Sequence, residues 1–324
     1  MSETTARTGS AGGGDPVVGL IMGSESDWRT MHRTAEKLEA LGIACERQVV
    51  SAHRTPVDLF KYADQAEDKG FSLIIAAAGG AAHLPGMTAS KTIVPVIGVP
   101  VVATPLRGID ALLSIMQMPA EVGVATLSTG DRGAVHAALF AATILSREDA
   151  ALMARLRAHR DDLLKDVEPV IARADYPMKV TILTEAETDF ELMEHSAKQL
   201  RDLNIPHSMR SVGLGVPSRA LLEVTREESE AGAVAFIAGS ANGIDLACRV
   251  ARTTLYPVLG VPIVPKQVDS IDRFVQPFLE LPSGVATFAI GRPGAINAAL
   301  FAATILSRPG SETRRSLQQK REEQ

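Results

Sequence analysis

Three short stretches near the start of this chain carry side chains able to hold an anion and move a proton. The first is Gly23-Ser-Glu-Ser-Asp27. Its glycine lets a ligand approach the backbone, and Ser24 and Ser26 sit where the free amides of a helix N-terminus make a phosphate cradle. Asp27 serves either as a helix cap or as an acceptor for sugar hydroxyls. The second is Ser51-Ala-His-Arg-Thr-Pro56. Arg54 has the fork to pair with phosphate, and His53 can exchange a proton near neutral pH. Taken alone, this stretch reads equally well as a solvated surface loop. The third is Gly79-Gly-Ala-Ala-His-Leu-Pro-Gly-Met87. Two glycines and small residues leave room against the backbone, and His83 opens a helix; a tight turn with a capping histidine is the bland alternative. Together the stretches describe a site for a phosphorylated small molecule with imidazole chemistry. No carboxylate cluster stands near them, so neither a metal nor another cofactor is expected.

The elements that must carry these loops alternate. Residues 17–22 are a short apolar run of the kind found in a buried parallel strand. Helical spacing follows from Asp27 to Leu41, with Met31, Ala35, Leu38 and Leu41 on one face. Strands are expected at 44–50, 72–78, 96–101 and 123–126, and helices at 56–70, 84–91, 109–116 and 133–145. Pro56 suits a first helical turn and Gly70 a helix end. Strand and helix in alternation imply a doubly wound parallel α/β sheet with helices on both faces. In that architecture ligands bind beyond the C-terminal ends of the strands, where all three loaded stretches fall.

The whole pattern then occurs again. Phe140-Ala-Ala-Thr-Ile-Leu-Ser146 returns as Phe301-Ala-Ala-Thr-Ile-Leu-Ser307, and Pro95-Val-Ile-Gly-Val-Pro100 returns as Pro257-Val-Leu-Gly-Val-Pro262. The offset is 162 from Gly98 to Gly260 and 161 from Phe140 to Phe301. A period this long is a duplicated domain, not a solenoid repeat. The expected organisation is a disordered leader over 1–15, a first copy over 16–146, a helical linker over 147–178, a second copy over 179–307 and a polar, frayed tail over 308–324. The linker is read as an extension of the preceding helix.

Composition narrows the function classes. The 324 residues are 46% hydrophobic, enough for two buried cores. A net charge of −5 and only 4% aromatics offer no basic or stacking surface for nucleic acid. Apolar runs stop well short of the ~18 residues a membrane helix needs. The leader has no apolar segment of a signal peptide. The two cysteines, Cys45 and Cys248, one per copy, fit neither a disulfide framework nor a zinc site. A reducing cytoplasm is the expected compartment.

The three loaded stretches, with Gln117-Met-Pro119, resemble the N5-carboxyaminoimidazole ribonucleotide mutases of the AIR carboxylase family. The resemblance covers residues 17–146, and the Gly79-to-His83 loop is of the mutase kind. It implies a three-layer, flavodoxin-like α/β/α fold, sites at subunit interfaces of an octamer, and a metal-free isomerisation in purine synthesis. In that reaction the N5 carbamate breaks down to carbon dioxide and aminoimidazole ribonucleotide in a closed pocket, and C4 of the imidazole then attacks the carbon dioxide. The resemblance further implies that His53 shuttles the proton, with His83 beside it. Ser24, Ser26, Ser51 and Arg54 would hold phosphate and Asp27 the ribose. Gly23 and Ala52 would flank them. Gly79, Gly80, Ala81 and His83 would shape the carbon dioxide pocket, with Leu84 and Ala82 keeping water out.

The second copy keeps the frame and loses the chemistry. Gly23-to-Asp27 becomes Glu185-Ala-Glu-Thr-Asp189, and the second loop becomes Gly213-Leu-Gly-Val-Pro217. His53 then falls opposite Leu214 or Gly215, and Arg54 opposite Gly215 or Val216. His83 aligns with Asp245. Yet the asparagine usual in the family's last helix is present only in this copy, as Asn297, where copy one has His136. Copy one is therefore expected to supply catalytic loops and copy two a neighbouring wall. Four chains would make a pseudo-octamer with about half the usual sites. The competing readings are a related nucleotide carboxylase or lyase, and a non-catalytic nucleotide-binding or assembly protein.

Overall fold

The computed structural model describes residues 6–8, 17–164, 177–241, 243–263 and 271–322. Copy one runs through strand β2 (Val18–Met22), helix α1 (Trp28–Ala40), β3 (Cys45–Val49), α2 (Pro56–Asp64), β4 (Leu73–Gly79), α3 (Leu84–Ala89), β5 (Val96–Val101), α4 (Ile109–Met116), β6 (Val124–Thr126) and α5 (Gly130–Leu145). A short strand β1 (Ala6–Thr8) precedes it and α6 (Ala150–Leu164) follows. Copy two repeats the series as β7 (Lys179–Thr184), α7 (Phe190–Asp202), β8 (His207–Ser211), α8 (Ser218–Glu230), β9 (Ala233–Ser240), α9 (Asp245–Val250), β10 (Val258–Pro262), α10 (Ile271–Leu279), β11 (Val285–Thr287) and α11 (Arg292–Leu306), ending in α12 (Glu312–Glu322).

All these strands lie in one sheet, ordered β1-β3-β2-β4-β5-β6-β11-β10-β9-β7-β8. Within each copy the order, counted from that copy's own first strand, is 2-1-3-4-5, the flavodoxin-like arrangement, and the pairing is parallel. The copies meet through their fifth strands, which are antiparallel at Thr287 and Thr126. This junction sets the geometry of the chain. It points the C-terminal ends of the two sets of strands at opposite edges of the sheet.

Both faces of the sheet are covered, which is why its strands read as continuous apolar runs. Along β4, Leu73, Ile75 and Ala77 enter one core while Ile74, Ala76 and Ala78 enter another. The first core runs unbroken beneath α1, α5, α7 and α11 of both copies. There the Phe140 and Phe301 rings stack across the seam with centroids 6.4 Å apart. The duplication persists at single hydrogen bonds. Thr34 Oγ1 donates to the Ala134 carbonyl at 2.8 Å, and Ser196 Oγ donates to the Ala295 carbonyl at 2.7 Å.

Three expectations are corrected. Within the supposed leader, Ala6–Thr8 pairs antiparallel with β3 at Ala6–Arg47 and Thr8–Cys45. An edge strand offers unpaired amides and carbonyls, and a passing segment can satisfy them. The remainder of 1–15 lies outside the described residues. The segment after α5 is not that helix continued. Asp149 is extended, at φ −121° and ψ 97°, and its carboxylate accepts from Leu152 N at 2.9 Å, so α6 starts afresh behind a cap. The rest of the linker, 165–176, also lies outside the described residues. The polar tail is helical. Leu317 is buried, and Arg314 Nε meets Glu67 of copy one at 2.7 Å, so α12 clasps the other copy.

Candidate active site

Strand order brings the three loops together. β2 lies between β3 and β4, and its chain leaves to the α1 face, while β3 and β4 send theirs to the α2 and α3 face. The crevice opens where those directions part. Gly23 N donates to the Ala77 carbonyl at 3.2 Å, tying the first loop to the strand that leads into the third.

In the first loop, Ser24 caps a short 3-10 turn, Glu25–Asp27, that runs into α1. Ser24 Oγ accepts from Ser26 N at 3.3 Å and from Ser26 Oγ at 3.0 Å, and Asp27 Oδ2 accepts from Ser24 N at 3.1 Å. Asp27 is only 7% exposed. Its burial pushes the carboxyl above the usual range, against the opposing pull of the Ser24 and Gly23 amides, the Ser26 hydroxyl and the Arg54 charge. Asp27 thus closes a capping box on the Glu25–Asp27 turn and makes no side-chain cap bond to α1.

Arg54 joins loop two to loop one. Its Nη2 donates to the Gly23 carbonyl at 3.0 Å, and its Nε and backbone N reach Ser51 Oγ at 3.4 and 3.2 Å. The guanidinium is therefore held beside Ser24 and Ser26 while remaining exposed. His53, next along the loop, meets loop three. Its Nε2 lies 3.1 Å from His83 Nδ1, and the two rings are near-perpendicular, at 89°. One of those nitrogens donates and the other accepts, so this contact couples the tautomers of the two rings. Gly80 takes φ +63°, a conformation that favours glycine, and a Cβ on Gly79 would lie 2.5 Å from Ala103 Cβ. Both glycines are needed for the loop to fold back and put His83 opposite His53.

The expected residues do not all face solvent. His53, Arg54, Ser26, Ala81 and His83 are exposed. Ala52, Ala82 and Leu84 are buried in the apolar core beneath the loops. They form the floor of the site, not its walls. In the single chain the two histidines lie exposed in the crevice between the loops. A cavity of about 690 Å³ lies elsewhere, between copy one and α12, lined by Lys91, Glu121 and Arg321 among others. Among the described residues no group of three or more His, Cys, Asp or Glu is placed to share a metal ion.

At the matching place in copy two the ladder fixes the alignment. Val50 N donates to the Met22 carbonyl and Val212 N to the Thr184 carbonyl, both at an offset of 162. The one-residue gap therefore lies beyond Val212. Glu185, standing for Gly23, is 4% exposed and accepts from Ser240 Oγ. Arg249, standing for Met87, reaches back from α9 with Nη1 3.6 Å from Glu185 and Nη2 donating to the Val216 carbonyl. An internal ion pair stands in copy two where copy one has Gly23 and its bond from Arg54. Sequence reasoning marked Glu185 but missed Arg249, whose signal was its place opposite Met87.

The AIR carboxylase family model matches this chain twice, over residues 17–166 and 179–324. The chain belongs to the AIR carboxylase family. Three curated relatives are named N5-carboxyaminoimidazole ribonucleotide mutase. That of Bacillus subtilis is 55% identical over 152 residues, covering 47% of this chain and 94% of the relative. That of Pseudomonas aeruginosa is 62% identical over 129 residues, covering 40% and 79%. That of Escherichia coli K12 is 51% identical over 156 residues, covering 47% and 92%. Each match is about one copy long, so this family member carries two domains in tandem. A solved Treponema denticola PurE is similar at 26% identity and a TM-score of 0.42, covering 45% of this chain and 90% of that one.

Proposed function

We propose that copy one is an N5-carboxyaminoimidazole ribonucleotide mutase, an isomerase of purine biosynthesis, and that copy two is catalytically silent. The observation that carries this reading is the 3.1 Å His53–His83 contact beside the Arg54, Ser24 and Ser26 cradle. The names of relatives at 51–62% identity supply the reaction.

In this reading the phosphate rests on Arg54, Ser24, Ser26 and Ser51, and the ribose hydroxyls face Asp27. The N5–carboxyl bond breaks, releasing carbon dioxide, and N5 takes a proton from His53. C4 of the aminoimidazole attacks the carbon dioxide held against Gly79, Gly80, Ala81 and His83. His53 then removes the C4 proton, so the charge and proton count close with no net change. Two facing imidazoles can hold one proton between them, which suits a group that must both give and take it.

An open groove does not retain carbon dioxide. The proposed active form is a homo-oligomer in which another chain covers the groove; four chains would make eight domains with four sites. The substrate is a ribonucleotide, and no helix among the described residues is long and apolar enough to cross a membrane. The reaction is proposed to take place in the cytoplasm.

Turnover of the N5-carboxylated ribonucleotide by the purified full chain tests this. Wild type is expected to turn over and His53→Asn to lose activity by at least about 10²-fold while still binding product. Binding without turnover in the wild type would favour the non-catalytic assembly reading instead.

A further inference from the structure

One polar side chain of copy two is directed at copy one. Asn297 on α11 is 1% exposed, and its Nδ2 donates to the Pro119 carbonyl at 2.9 Å. A carbonyl oxygen only accepts, so the amide must face it with its NH2. Further along the same loop, a Cβ on Gly123 would lie 3.0 Å from the Asn297 carbonyl, so loop and helix are in close contact.

Pro119 ends the turn that follows α4. The residue before it, Met118, places Sδ only 2.2 Å from where a Cβ on Gly86 would stand. Gly86 lies in α3, and Met87 N in the same helix donates to the His83 carbonyl at 2.9 Å. Helix α3 has six residues, too few to be stable without outside support. A packed path therefore runs from Asn297 through Pro119, Met118 and Gly86 to His83, and across 3.1 Å to His53.

We propose that Asn297 of copy two is a positioning residue for His83 of copy one, acting by holding the Gln117–Pro119 turn so that Met118 wedges against Gly86. The proposal rests on the reading of His83 as a group of the active site. It accounts for the asymmetry of the two last helices. Copy one needs its turn held because it has a histidine pair to align. Copy two has no such pair, and Asn297's counterpart in copy one is His136.

The test uses the full chain. Asn297→Asp keeps the shape but turns an acceptor toward the Pro119 carbonyl. The expected result is a fall in kcat of about tenfold with KM within about twofold, since small misplacements of a reacting group act on the chemical step. The His83 ring signals in a histidine-labelled NMR spectrum are expected to shift. Ser196→Ala removes a buried bond to the same helix α11 and is the control for plain destabilisation. It is expected to lower Tm and leave kcat and the His83 signals alone. Met118→Ala should reproduce the kcat loss, and Gly86→Ala added to it should refill the space and recover most of the rate.

Wild-type kcat and unmoved His83 signals in Asn297→Asp would overturn the proposal, as would an equal kcat loss in Ser196→Ala. Should Asn297→Asp not fold, absence of recovery in the Gly86→Ala, Met118→Ala double variant overturns it. If the wild type itself does not turn over the substrate, the mutase reading fails, while the His83 signals still decide whether Asn297 positions that ring.

Discussion

The loop after β2 and the loop after β7 begin from the same ladder bonds and end as opposites. In copy one the position at the strand end is Gly23, whose carbonyl accepts from Arg54 while the adjacent serines stay open to a ligand. In copy two it is Glu185, buried and met by Arg249 and Ser240. At the first loop the Arg54 guanidinium is exposed and bonded to a backbone carbonyl. The second carries both charges within the protein, Glu185 facing Arg249. The difference teaches that the same strand-end backbone accepts either arrangement: an acid at the glycine position and a base far along the chain but adjacent in the fold close with an internal ion pair what copy one leaves open.

The most severe way to break the contrast is Gly23→Glu, which gives copy one the residue of copy two without its arginine partner. A carboxylate where phosphate is proposed to rest should abolish nucleotide binding, a loss of about 3 kcal/mol or more in a titration of the product nucleotide. Retained affinity would show that the phosphate lies elsewhere. Next is Arg249→Met, which gives copy two the residue of copy one. It leaves Glu185 buried without its cation and should cost about 3 kcal/mol in denaturant unfolding while turnover stays at the wild-type value. Adding Glu185→Gly should recover most of that stability. A parallel loss of activity would mean that the crevice of copy two is coupled to the site of copy one.

The smallest effect is a pH dependence confined to copy two. Burial pushes the Glu228 carboxyl up, but bonds from Lys179, Arg210, Ser208 and Thr181 outweigh it and bring it down to about 2. Its folded value is thus below the ordinary 4.5, so its stabilisation is fully present above that value and is lost as pH falls toward 2. The counterpart of Glu228 in copy one, 162 residues earlier, is Ala66. Unfolding followed from pH 6 to 3 should show a decline that Glu228→Gln removes, together with about 2 kcal/mol of stability at pH 6. An identical acid profile in that variant would place the acid-sensitive groups elsewhere.

How much was legible beforehand follows from what each element depends on. The strands and most helices of both copies could be read because periodicity is local: β4 alternates between two cores, and α1 buries Met31, Ala35 and Leu38 on one face. The three loops of copy one could be read because their residue types are unusual for a loop. Helix α5 begins at Gly130, three residues before the expected start, because two glycines look like a loop. Gly133 is there for close packing, since a Cβ would lie 1.8 Å from the Ser128 carbonyl. Helix α12 was missed because its composition is polar and a single leucine, Leu317, seats it. Arg249 and Asn297 were visible as residues, but their partners, Glu185 and Pro119, are distant in sequence and close only in space.

The antiparallel junction of β6 with β11 has one further consequence. In a symmetric pair of identical chains, every substitution at the contact is made twice, on both sides of the axis, and must be tolerated by both. Here the two sides are encoded separately. A residue such as Asn297 can be kept for the neighbour it supports while the matching place carries His136. The covalent join thus grants each side of the seam its own freedom to vary, and the two ends of the molecule have diverged accordingly, with His53 and Arg54 at one and Glu185 and Arg249 at the other.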